Sequence, residues 1–258
     1  AYAAKGDHDR ANQNFNEAIR LSPNDAEAYA GRGLAYAAKG DTDRAIHDFN
    51  EAIRLTPNLA IAYALRGFAQ GTKGDNDRAI QDYSEAIRLT PNLANAYTKR
   101  GLAYGRKGEN DRAIQDYNEA IRLNPNDAEA YIGRGIAYNN KGENDLAIQN
   151  YDEAVRLNPN DALAYNNRGH AYRSKGDTDR AIQDFNEAIR LNPNYAEAYT
   201  NRGIAYAAKG DNDRAIQDLN EAIRLNPKNA GTYSSRGRTR FALAQFQAAQ
   251  EDFKKALE

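Results

Sequence analysis

The chain has 258 residues, with 35 Lys plus Arg against 36 Asp plus Glu, 41% apolar residues and a mean hydropathy of −0.89. This near-neutral balance excludes the basic excess or stripe that phosphate binding usually shows, so no nucleic acid is expected as a partner; no window approaches the roughly 18 consecutive apolar residues of a membrane span, so no membrane insertion is expected either. The absence of Cys removes disulfides, thiolate metal sites and cysteine nucleophiles, and leaves the compartment, cytoplasmic or periplasmic, undetermined.

The seven prolines, Pro23, Pro57, Pro91, Pro125, Pro159, Pro193 and Pro227, follow one another at 34 residues, and no other proline occurs. A fixed period of this length is the mark of a solenoid of stacked supersecondary units. With each proline at position 32, the single array over residues 1–258 divides into a partial first repeat (1–25), six full repeats (26–59, 60–93, 94–127, 128–161, 162–195 and 196–229) and a divergent last repeat (230–258).

Repeat one begins at position 10, halfway through a first helix, and carries Asn12 where the six full repeats have Ile. The chain starts at Ala1 and has no Met, so upstream sequence holding a signal peptide, anchor or further domain is an expectation. Repeat two displays the full pattern. Tyr29, Gly33 and Tyr36, at positions 4, 8 and 11, form one stripe of a first helix, and Ala45, Ile46, Phe49, Ala52 and Ile53 form one stripe of a second. Small residues at positions 8, 20 and 27 let the two helices approach, and aromatic rings fill the gaps.

Between the stripes, Gly-Asp-Thr-Asp or Gly-Asp-Asn-Asp runs at position 15, held by Gly6 through Gly210, predict helix stop, turn and helix start. The acids of positions 16 and 18 suit the new N-terminus by capping and by the dipole. A calcium loop is not predicted, because its ligand spacing and terminal bidentate Glu are missing. Proline at position 32 ends the second helix. Asn24 to Glu27, Asn126 to Glu129 and Asn194 to Glu197 have the spacing of a capping box for the next first helix.

Repeat three departs most among the full repeats, with Phe68 at position 9 and Gln70 in place of the aromatic at position 11, which makes it the first candidate for a specific pocket. Repeat five places Asn150 at position 23 where the other full repeats have Asp. Repeat eight has cap-like features: Ala244 replaces the turn glycine, Arg240 the position 11 aromatic, and Gln250, Glu251, Lys254 and Lys255 make its second helix polar.

Tyrosine at positions 4 and 11, glycine at 8, alanine at 20 and 27, an aromatic at 24 and proline at 32, seen together as Tyr29, Tyr36, Gly33, Ala45, Ala52, Phe49 and Pro57, resemble the tetratricopeptide repeat over the whole chain. The resemblance implies an all-α, right-handed superhelical solenoid of antiparallel helix pairs. It also implies a concave groove, lined by first helices, that binds peptide segments of other proteins. The RNA-reading pentatricopeptide arrays are similar in plan, but they keep a 35-residue period and are usually basic, whereas this chain has a 34-residue period and a net charge of −1. The family's best known carboxylate clamp resembles lysine at position 5 with asparagine at 9, then asparagine at 6, then lysine at 2 with arginine at 6 in successive repeats; that set is missing here, so a chaperone tail is not the expected ligand. Position 17, often aromatic in the family, is Thr42, Asn76, Asn110, Asn144, Thr178 or Asn212, an exchange expected to loosen contacts between repeats or to cap a helix.

No P-loop, nucleophile elbow or dinucleotide fingerprint occurs, so neither catalysis nor a cofactor is expected. His47 has Asp43 and Glu51 one turn away on either side, a spacing compatible with metal ligation. The same acids recur around Gln81, as Asp77 and Glu85, so a solvated helix face is the expected reading and no metal site is assigned. Arginine at position 7 and aspartate at position 23 each lie eight residues from the turn glycine. An antiparallel hairpin makes them level, which predicts an Arg to Asp ladder within the repeats.

The opposite face of the first helix should be polar if it only met water, yet position 9 carries Leu34, Phe68, Leu102, Ile136, His170, Ile204 and Arg238, and position 5 includes Ala64, Ile132 and Asn166. Two readings are compatible: neighbouring first helices bury this stripe, or it binds a ligand. As a binding groove it offers Leu34, Ala64, Phe68, Leu102, Ile132, Ile136 and Ile204 as apolar anchors and Asn139, Asn166, His170 and Arg173 as hydrogen-bonding groups. The expected role is a protein-interaction adaptor with an unidentified protein or peptide partner. A self-associating scaffold, forming a homo-oligomer end to end or by helix exchange, is the rival, and a targeting module of a longer enzyme is a third reading.

Overall fold

Local chemistry explains each helical hairpin. The computed structural model describes residues 8–258, so Gly6 lies outside the described residues. Repeat one contributes α1 (His8–Leu21). First helices of repeats two to eight are α2 (Ala26–Ala38), α4 (Ala60–Thr72), α6 (Ala94–Arg106), α8 (Ala128–Asn140), α10 (Ala162–Ser174), α12 (Ala196–Ala208) and α14 (Ala230–Ala242). Their second helices are α3 (Thr42–Leu55), α5 (Asn76–Leu89), α7 (Asn110–Leu123), α9 (Asn144–Leu157), α11 (Thr178–Leu191), α13 (Asn212–Leu225) and α15 (Phe246–Leu257). No strand occurs among the described residues, and the fold is an all-α solenoid of helix pairs.

The turn glycine does what the sequence predicts. Gly40 has φ +80°, a left-handed conformation that ends α2, and its N–H donates to Ala37 O while that of Asp41 donates to Tyr36 O. Asp41 then caps α3 by accepting from the backbone N–H of Arg44, as Asp75, Asp177 and Asp211 do in their repeats. Glu109 and Glu143 hold the same position without a capping bond, one methylene longer than the geometry asks. Position 17 is the first helical residue rather than the cap, which corrects that part of the sequence reading.

The capping boxes are also corrected. The N-cap of a first helix falls at position 34, so Asp25 accepts from the N–H groups of Glu27 and Ala28, and Asp127 from that of Ala130. Asn24, Asn126 and Asn194 stand one residue too early. In repeat seven the N-cap is Tyr195, with no side-chain bond at all.

The described chain gathers into two compact bodies, one ending at Gly133 and the other starting at Arg134. In the first, Ala45, Phe49 and Ala69 form one buried cluster and Ala79, Tyr83, Ala86, Ala96 and Ala103 another, each joining the second helix of one repeat to the first helix of the next. In the second, Ala147, Ile148, Tyr151 and Ala171, and then Ala181, Phe185 and Ala205, repeat the arrangement. Glycine at position 8 is dictated by packing: a Cβ on Gly33 would stand 2.7 Å from the Phe49 ring. Burying such a ring contributes roughly 1.5–3 kcal/mol, so the core is carried chiefly by position 24 aromatics set against small residues.

Both terminal repeats differ from the sequence expectation in detail. Asn12 is buried with its Oδ1 unbonded, where the six full repeats place an Ile that is buried or half-buried. Repeat eight is only partly cap-like, because Phe241 and Phe246 are each 60% exposed, their rings edge to face at 5.3 Å, and Leu257 is 90% exposed. Its turn residue Ala244 has φ +58°, left-handed without being glycine.

Candidate functional site

The position 7 arginines are held inside the repeats. Arg32 donates from Nε and Nη2 to both carboxylate oxygens of Asp48, at 2.7 and 2.8 Å. Arg66 with Asp82, Arg100 with Asp116, Arg168 with Asp184, Arg202 with Asp218 and Arg236 with Asp252 repeat the fork. In repeat five, Arg134 Nε instead donates to Asn150 Oδ1 at 2.7 Å.

A second bond escaped the sequence reading. Six of these arginines also reach the preceding repeat: Arg32 Nη1 donates to Asn16, Arg66 to Asn50, Arg100 to Ser84, Arg168 to Asp152, Arg202 to Asn186 and Arg236 to Asn220. The Arg32 guanidinium also lies 5.4 Å from the centre of the Tyr29 ring. The available signal was a small polar residue kept at position 25. With these donors engaged, the arginine row belongs to the scaffold.

The acids beside His47 are likewise committed. Asp43 accepts from Lys73 and Glu51 from Arg54, while His47 Nδ1 lies 3.4 Å from Asp48 Oδ1. Among the described residues no group of three His, Asp or Glu stands close enough to hold a metal ion, and no helix is long and apolar enough to cross a membrane.

On the first-helix face of the first body, Leu34 is 46% and Phe68 52% exposed, while Leu102 and Ala64 are half-buried. Phe68 borders a cleft of about 440 Å³, lined also by Gly71, Tyr83, Lys99, Leu102 and Arg106. Sequence explains the opening: Gln70 replaces a ring, and Gly71 stands where repeat two has Ala37. Lys99 is paired with Glu129 at 2.6 Å, and Arg106 donates to the Gly71 carbonyl at 3.1 Å and has no carboxylate partner among the described residues. Ile132 is a correction. It is 7% exposed, so it is buried rather than open to a ligand.

On the corresponding face of the second body, Ile136 is 39% exposed and Ile204 half-buried. Asn166 is a second correction: it is 1% exposed, accepts from Asn201 Nδ2 at 3.0 Å and donates to Tyr195 Oη at 3.3 Å. It therefore stitches first helices together. The Asn139 amide nitrogen meets His170 Nδ1 at 3.4 Å, and both residues are half-buried. Burial, then the Arg173 charge, hold His170 below the ordinary imidazole range, so the ring is neutral near pH 7 and Nδ1 accepts the amide proton. Arg173 is half-buried as well, and burial alone lowers it.

Family models described as TPR repeat match residues 1–40, 33–74, 72–108 and 169–210, and models described as tetratricopeptide repeat match 98–162, 150–183 and 196–229. The chain belongs to the tetratricopeptide repeat family. No curated protein matches the sequence significantly. Among solved tetratricopeptide structures, one from Parabacteroides merdae is similar with 26% identity and a TM-score of 0.73, covering 90% of this chain and 91% of that one. The structure of the APC/C hetero-tetramer Cut9-Hcn1 is similar in fold, with 23% identity and a TM-score of 0.80 over 91% of this chain; this chain spans only 46% of that longer one. YrrB, a TPR protein with an unusual peptide-binding site, is 26% identical, with a TM-score of 0.57 over 71% of this chain and 95% of its own. Membership of the family makes the array a protein-interaction module in the general sense.

Proposed function

We propose that this tetratricopeptide array is a non-catalytic adaptor that binds a segment of a partner protein on its first-helix face, with an apolar side chain of that segment seated beside Phe68. The observation that carries this reading is the cleft of about 440 Å³ between α4 and α6, open to solvent, with Phe68 and Leu102 on its wall. A large exposed aromatic beside a cavity has no packing role to justify it, whereas it suits an interface anchor. YrrB, similar in fold, is described as peptide-binding, which supports the same use of the scaffold.

The test is recovery of partners from native extract with wild-type chain and with Phe68→Glu and Ile136→Glu, after far-UV spectra and melts establish equal folding. Loss of a recovered partner from the variants is expected. Equal recovery by all three would remove this face from recognition.

Self-association remains as a second reading because Phe241 and Phe246 stand 60% exposed at the last helical hairpin. Sedimentation across a concentration series should then show a dimer or larger species that Phe241→Ser with Phe246→Ser abolishes. A monomer at every concentration eliminates that reading.

A further inference from the structure

The second body carries a polar cluster whose bonding is incomplete. Asn167, His170 and Arg173 follow one another at three-residue spacing along α10, so they share one face of that helix. Asn139, from α8, joins them through the His170 ring. Three buried atoms of this group make no hydrogen bond within the protein: Asn139 Oδ1, Asn167 Nδ2 and Arg173 Nε. Buried polar atoms are normally paired, and an unpaired guanidinium nitrogen is among the more costly exceptions.

Arg173 stands apart from its neighbours. Arg168, Arg202, Arg236 and Arg240 each hold an aspartate, and Arg156, Arg180, Arg190, Arg214 and Arg224 each hold an acid three residues before them. Arg173 is half-buried and has no carboxylate partner among the described residues. With His170 neutral, the cluster holds a single positive charge, and its buried unbonded atoms are two donors and one acceptor. A carboxylate answers the charge and accepts from donors of this kind, and a backbone N–H beside it suits the acceptor. A free anion supplies only the first of these.

We infer that this cluster docks the side-chain carboxylate of an aspartate or glutamate in a partner segment, on Arg173 Nε and Asn167 Nδ2, with a backbone N–H of the same segment donating to Asn139 Oδ1. The inference rests on the reading that the first-helix face binds a protein segment. It adds the chemistry of what the second body binds: an acidic residue is required, and the acid lies within the chain of the partner rather than at its carboxyl terminus.

The probe is a phage-displayed library of short random peptides with amidated or fused C-termini, panned in parallel against wild-type chain, Arg173→Gln and Ile136→Glu. Wild type should enrich peptides with Asp or Glu at one fixed place, and Arg173→Gln should lose that preference. In a peptide so chosen, Glu→Gln should weaken binding to wild type roughly tenfold or more, as expected for a charge-assisted contact, and should change nothing further on Arg173→Gln. This peptide change is read on unaltered protein, so misfolding of a variant cannot imitate it.

Enriched peptides without an acidic preference, or a preference that survives Arg173→Gln, overturn the inference while leaving the binding face intact. Displacement by inorganic phosphate as effective as by free acidic peptide also overturns it, and makes the cluster a free-anion site. Enrichment that Ile136→Glu leaves unchanged, or no enrichment at all, sinks the binding-face reading itself and this inference with it.

Discussion

Arg100 shows how one side chain does two jobs. Its fork closes on Asp116 inside the repeat, and its remaining nitrogen reaches Ser84 in the repeat before. Burial pushes the Asp116 carboxyl above its ordinary range against the pull of the guanidinium bonds, while the same contact raises Arg100. Such a pair is close to break-even as a unit, yet removing one partner strands a buried charge, at about 3–5 kcal/mol. Asp116→Ala should therefore cost about that much in denaturant melts, and Asp116→Asn distinctly less, because Asn150 already holds Arg134 through its amide oxygen in repeat five. Equal costs for the two changes would contradict the buried-charge account. The ladder was legible in the sequence from distance to the turn glycine. Its link to position 25 was not, because periodicity gives which residues are level within a hairpin and says nothing of the neighbouring hairpin. For the same reason Ile132 and Asn166 read as groove residues although both are buried, Asn166 against Asn201 of the next first helix.

At the level of the helix and its turn, chemistry at position 15 carries the connection. Six described glycines adopt φ between +76° and +85°, and only Ala244 attempts a similar conformation with a side chain. A non-glycine residue there costs about 1 kcal/mol, so Ala244→Gly should raise the stability of the last hairpin by a fraction of that or up to it. Hydrogen exchange of α15 amides measures it; unchanged or faster exchange would mean that α15 tolerates its turn without strain. Helix boundaries were readable to within a residue from Gly, Asp and Pro. The N-caps of the first helices were displaced by one, because Asn and Asp are adjacent at positions 33 and 34 and both are good caps. Only backbone geometry decides that Asp25 and Asp127 take the role.

Across the whole molecule, surface charge is organised as local pairs. Arg88, Arg122, Arg190 and Arg224 hold Glu85, Glu119, Glu187 and Glu221 below the ordinary carboxylate range, and Arg180 and Arg214 contribute to holding Asp177 and Asp211 there. A carboxylate lowered in the folded state stabilises above its unfolded pKa, and the contribution is lost as pH falls through the folded value. The melting temperature should thus be level from neutral pH to about 5 and should fall below about 4. Asp116 and Asp184, raised by burial, act with the opposite sign and soften that fall. A melting temperature that rose on acidification would show the buried pair outweighing the surface pairs. The all-α fold and the pairing of helices could be read from the sequence alone. The cleft beside Phe68 could be suspected from Gln70 but not sized, since its volume depends on how α4 and α6 stand together.

The two-way arginine contact also bears on how such a protein changes over generations. Arg236 bonds Asn220, and repeat six offers Asn186 at the same position. Excision of residues 196–229 would bring Asn186 opposite Arg236, restoring the identical contact with no compensating substitution. Duplication works equally well in the other direction. The joint between repeats is generic, so recombination between near-identical coding segments can lengthen or shorten the array in whole modules, and the reach of the protein becomes heritable variation separable from its stability.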